Sequence, residues 1–137
     1  MSEETTFVDY GAGYDDVKEP ELAPTAQYHL IIENCKYIDD GKPRFMFNIK
    51  IQGGDFATLF HSVYLPTEAD DDQKRKNKIL FAKRFNYMFK IPVIGGKFNP
   101  TDAVGREAVG NVKLVSYTKT SGEDGKKNEL VVPNMPQ

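Results

Sequence analysis

Residues Arg44 to Gln52 read RFMFNIKIQ, an unbroken alternation. Phe45, Phe47, Ile49 and Ile51 fall on one side, and Met46, Asn48 and Lys50 fall on the other. A period of two is the signature of a strand with one buried face. A chain that carries such a strand must supply neighbours for both of its edges, so the constraint reaches well beyond nine residues.

The flanking segments supply candidates. Tyr28 to Tyr37 is rich in aliphatic and aromatic residues and reads as a first strand. Asp39-Asp40-Gly41-Lys42 offers the Asp-Gly turn dipeptide between it and the alternating strand. Gly53-Gly54-Asp55 is a second turn, and Phe56 to Leu65 is a third strand that Pro66 ends. Thr67 to Lys90 then lacks Gly and Pro and reads as a helix. Asp70, Asp71 and Asp72 lie near its start, where carboxylates complement the macrodipole. Phe81, Phe85, Met88 and Phe89 recur at helical spacing and are expected to face the core. Residues 92–110 read as a Gly- and Pro-rich loop, Asn111 to Lys119 as a fourth strand, Ser121 to Gly125 as a turn, and Asn128 to Val132 as a fifth strand.

The expected class is mainly β, with five strands and one helix between the third and fourth. That order is the topology of an OB-type β-barrel. A small sandwich or roll built from the same elements is the competing arrangement. Residues 1–24 read as a flexible acidic arm, 25–133 as the domain and 134–137 as a tail.

Charge divides the same way. Residues 1–25 hold seven acidic side chains against Lys18 alone, whereas the rest holds 17 basic against 13 acidic. The net charge of −2 therefore conceals a mildly basic body. One cysteine, Cys35, excludes an internal disulfide and suits a reducing compartment. Its apolar surroundings predict a small buried side chain. Met1 to Glu4 has no basic stretch leading into an apolar one, and no apolar run approaches a membrane span, so neither secretion nor a membrane is expected.

No catalytic constellation stands out. His29 and His61 each sit within an expected strand, without the spacing of a zinc site. Three adjacent aspartates on a helix do not face one another, so Asp70 to Asp72 suit a helix start better than a cation. Gly53-Gly54 and Gly95-Gly96 lack the spacing of a phosphate loop. No enzymatic activity, metal or cofactor is expected.

Aromatic and basic residues interleaved on strands point instead to single-stranded nucleic acid. Every base has a π-face, so aromatic platforms beside a positive groove bind single strands with little regard to sequence. If Leu59, His61, Val63 and Leu65 point inward, Phe60 and Tyr64 point outward and are the stacking candidates. Arg44, Lys50, Lys113 and Lys119 are the candidate phosphate contacts, with Tyr117 beside them on the fourth strand. The run Lys74-Arg75-Lys76-Asn77-Lys78 reads as a solvated helix face.

Several segments together resemble a family of small phage proteins with an OB-type fold from replication and recombination regions. They are Pro24 to Tyr28, the alternating second strand, and the helix with Phe81, Phe85 and Met88. They continue with Gly105 to Gly110 leading into Val112-Lys113-Leu114, and close with Lys126 to Pro133. The resemblance spans about residues 20 to 133. It implies binding of single-stranded DNA during phage replication or recombination, in the host cytoplasm. The acidic arm before Pro20 departs from the family pattern, and it suits recruitment of replication or recombination proteins.

Overall fold

The longest strand, β1 (Ala26–Ile38), is the spine of the molecule. The structure, a computed structural model, describes residues 7–136. Glu3 and Glu4, which belong to the acidic arm, and Gln137 of the tail lie outside that range. Along its second half β1 pairs antiparallel with β2 (Arg44–Ile51), and along its first half with β4 (Glu107–Thr118). Outside these lie β3 (Leu59–Tyr64) against β2 and β5 (Asp124–Leu130) against β4. The five-stranded antiparallel sheet therefore runs β3-β2-β1-β4-β5.

One extra residue in β1 keeps its apolar side chains on one face. Ile32 pairs with Ile49, yet Asn34 pairs with Asn48, so Glu33 is a bulge. Before it, Leu30 and Ile32 face Ile51 and Ile49; after it, Cys35 and Tyr37 face Phe47 and Phe45. The inner face thus buries Leu30, Ile32, Phe47, Ile49, Ile51, Leu59, Val63 and Val112. Leu114, on the same side of β4 as Val112, is partly exposed because it lies past the end of β1.

The helix α1 (Asp72–Phe89) closes this core from one side. Asp71 caps it by accepting the Lys74 N–H at 2.8 Å, and Lys90 ends it in the left-handed region. Phe85 and Phe89 are its buried residues, and the Phe85 ring lies 4.4 Å from that of Phe47. Phe81 does not join them. Phe81, one turn before Phe85, remains 59% exposed beside the β3 residues His61 to Tyr64.

Three further boundaries differ from those expected. The presumed loop 92–110 contains a short helix, α2 (Pro100–Ala103), capped by Asn99 and packed on β1 through the buried Ala103. β4 begins at Glu107, because the first half of β1 requires a partner there. β5 begins at Asp124, and its Gly125 sits directly beneath the Tyr117 ring. A Cβ at Gly125 would lie 2.8 Å from that ring, so the turn-like glycine belongs to the strand.

The sheet is not closed into a barrel. Its edge strands β3 and β5 approach each other without a hydrogen-bonded ladder between them. A piece of the presumed arm occupies that seam. Glu21 bridges to Phe56, and its carbonyl accepts the Ala57 N–H at 2.9 Å. Two residues on, Asn128 of β5 clamps Ala23. The Asn128 Oδ1 accepts the Ala23 N–H at 2.9 Å, and the Asn128 Nδ2 donates to the Ala23 carbonyl at 2.8 Å. Ala23 is fully buried, so Glu21 to Pro24 are part of the folded body.

Asn128 thus satisfies a buried backbone unit at both its donor and its acceptor. Asn128→Ala should destabilise the protein by roughly 1–3 kcal/mol, the cost of leaving buried polar groups unpaired. Asn128→Asp should be at least as damaging at neutral pH, since it sets a carboxylate against the Ala23 carbonyl. Urea denaturation measures both; unchanged midpoints would show that the clamp contributes nothing.

Candidate nucleic-acid interface

Alternation along the strands sends a second set of side chains to the outer face. β3 contributes Phe60, Ser62 and Tyr64, and β2 contributes Arg44, Met46, Asn48 and Lys50. In register, Phe60 lies opposite Asn48 and Tyr64 opposite Arg44. Phe60 is 60% exposed and Tyr64 is 43% exposed, as the outward assignment requires. The complementary assignment of Leu59, His61 and Val63 to the inner side also holds, with the His61 ring stacked on Phe85 at 5.0 Å.

Arg44 is not a free cation. Its Nη1 donates to Asp40 Oδ1 at 2.8 Å and its Nη2 to Asp40 Oδ2 at 3.3 Å. Its guanidinium carbon lies 5.8 Å from the centre of the Tyr64 ring, and its side chain is only 16% exposed. The hydrogen bonds from Arg44 hold the Asp40 carboxyl below its ordinary range, and Asp40 in turn raises Arg44. Arg44 therefore fixes the β1–β2 hairpin and backs Tyr64, with its charge already offset. Lys50, in contrast, is exposed and has no carboxylate partner among the described residues.

Lys113, Tyr117 and Lys119 form a separate group on the β4–β5 hairpin. Lys113 lies opposite Glu129, which itself pairs with Lys127 at 3.4 Å. Tyr117 rests on Gly125, with Lys127 Nζ 5.5 Å from its ring centre. Lys119 stands just past the end of β4, in the turn its own N–H closes by donating to the Glu123 carbonyl at 2.7 Å. The register separates the groups. Arg44 pairs with Ile38 at one end of β1 and Val112 with Ala26 at the other, while Lys50, opposite Ile31, lies about 17 Å along β1 from Ala26.

Acidic side chains temper the field between them. His29 Nε2 lies 3.0 Å from Glu107 Oε1 across β1 and β4. The strongest uncompensated charge is on α1. Residues 72–90 carry seven basic side chains and one acidic one. Of the seven, only Lys78 has a carboxylate partner among the described residues: Asp70, at 2.8 Å. Asp70 also accepts the Thr67 N–H, and these bonds hold its carboxyl below the ordinary range. The aspartate run thus builds the helix start.

Phe81 is the residue that sequence reasoning misplaced. Its spacing matches the buried Phe85 and Phe89, and nothing local distinguishes it from them. It lies exposed with Arg84 over its ring at 5.7 Å. Cys35, half-buried on the inner face, has its thiol pushed up to about 11 by that burial, so it stays protonated at neutral pH. No group of three or more metal-ligating side chains occurs among the described residues. Nor is any helix among them long and apolar enough to cross a membrane.

No protein-family model matches the chain, and no curated protein matches it.

Burial holds His61 below its ordinary 6.5. The unfolded chain therefore binds a proton first as pH falls, and the neutral ring supports the fold fully only above about pH 6.5. Stability should decline from there on acidification, well before the Asp40 and Asp70 carboxylates protonate. His61→Phe keeps the ring stack and should flatten this slope between about pH 7.5 and about pH 5. Thermal unfolding across that range tests it; parallel curves for the two proteins would remove His61 as the cause.

Proposed function

We propose that the protein binds single-stranded DNA without catalysing a reaction. The observation that carries this reading is the outer sheet face, where Phe60 and Tyr64 stand exposed beside Asn48 and the unpaired Lys50. Exposed aromatics on a rigid sheet with cations alongside are what sequence-tolerant single-strand binding requires. Lys113 and Lys119, with Tyr117, extend the path along β4. An OB-type arrangement fits the strand order, the helix after β3, and the approach of β3 to β5. Together with the phage-family resemblance, this favours a role in phage DNA replication or recombination, inside the host cell.

A second reading is a protein-interaction module. The arm favours it, since Phe7, Val8, Tyr10, Tyr14 and Val17 stay exposed among acidic residues, with Tyr10 and Tyr14 stacked at 5.3 Å. This arm is suited to recruiting a replication or recombination protein, either beside DNA binding or instead of it.

Fluorescence anisotropy with labelled oligo-dT and a matched duplex separates the readings. Single-strand preference that weakens as salt rises is expected. Phe60→Ala and Tyr64→Ala should each cost roughly 1–3 kcal/mol of binding. Equal affinity for duplex, or none for either, would leave the interaction module as the better reading.

A further inference from the structure

The molecule has a small pocket between the exposed edge of β3 and α1. It is lined by His61, Ser62, Val63, Tyr64, Lys78 and Phe81 and encloses about 270 Å³. That is below the ~300–1,000 Å³ of clefts that take drug-sized ligands. It has room for one planar heterocycle. Two of its walls are the exposed aromatics Tyr64 and Phe81, on the consecutive elements β3 and α1. Tyr64 is also one of the sheet-face stacking candidates, so the pocket adjoins that face.

Its chemistry suits a base. His61 reaches it from the inner side of β3 and makes no hydrogen bond within the described protein. A neutral imidazole offers one donor and one acceptor, which matches the mixed edge of a nucleobase. Lys78 lines the pocket and is paired with Asp70, while Arg84 over the Phe81 ring and Lys74, two turns before Phe81 on the same helix face, have no carboxylate partner among the described residues. An apolar slot flanked by these two cations suits an occupant with a flat apolar face and an anionic backbone.

We propose that one nucleobase of a bound single strand inserts into this pocket against Tyr64 and Phe81, and that its backbone continues along α1 past Arg84 and Lys74. The proposal rests on the single-strand reading and adds a helix to what would otherwise be a sheet-only path. It gives Phe81 a purpose: an aromatic ring left outside the core at the mouth of a slot, with Arg84 above it.

The chain contains no tryptophan, so Phe81→Trp installs a single fluorophore at the pocket. Because position 81 is exposed, neither this substitution nor Phe81→Ala threatens the fold. Titration of Phe81→Trp with oligo-dT should quench its emission over the same concentrations that saturate the wild-type anisotropy signal. Phe81→Ala should weaken oligo-dT binding roughly tenfold or more. Unchanged emission, or wild-type affinity in Phe81→Ala, overturns the pocket while leaving the sheet face intact, provided the wild-type protein binds. Failure of the wild-type protein to prefer single strands overturns both.

Discussion

The bulge at Glu33 governs which side chains the rest of the molecule can bury. β1 is shared by both halves of the sheet, and side chains on a strand alternate without exception, so a slip of one residue exchanges the two faces. Without the extra residue, Asn34 and Lys36 would point at Phe47 and Phe45, and Cys35 would face water. With it, Leu30, Ile32 and Cys35 line one continuous inner surface against β2. The same residue determines the outer face, because it is what places Asn34 and Lys36 beside Asn48 and Met46. Core and candidate interface thus depend on one insertion.

The two surfaces differ in how charge is handled. On the sheet, Arg44 pairs with Asp40 and Lys127 with Glu129, whereas Lys36, Lys50, Lys113 and Lys126 have no carboxylate partner among the described residues. Such pairs order side chains and add little net field. On α1 and its cap, six of the seven cations have no carboxylate partner among the described residues. Unpaired positive charge is therefore densest on the helix, while Phe60 and Tyr64 stand exposed on β3.

Much of this was legible in local pattern. The alternation of β2 located its strand, its faces and its core residues, because burial on a sheet writes itself into neighbouring positions. The inward turn of His61 followed from Leu59 and Val63 on the same strand. What escaped depended on partners distant in sequence. Phe81 shares the spacing of Phe85 and Phe89, and only the assembled fold, which leaves it exposed beside β3, distinguishes them. Gly125 carries a turn's composition but lies in β5 because Tyr117 covers it. Arg44 has the look of a phosphate contact, and its engagement by Asp40 and Tyr64 emerges only when hairpin and sheet are assembled. Glu21 to Pro24 have no strand pattern, since Ala23 is held by an amide side chain more than a hundred positions away.

That last contact has a temporal meaning. β1, β2 and β3 meander through short turns, and a chain emerging from the ribosome can pair them as soon as they appear. The residue that clasps Ala23 is Asn128, 105 positions later. Until it emerges, the seam between the two sheet edges stays open and Ala23 stays wet. Loop closure over such a span is slow compared with hairpin formation. The β1–β2–β3 meander can therefore form first, and the contact that ties Ala23 to Asn128 must wait for β5, the last strand of the sheet.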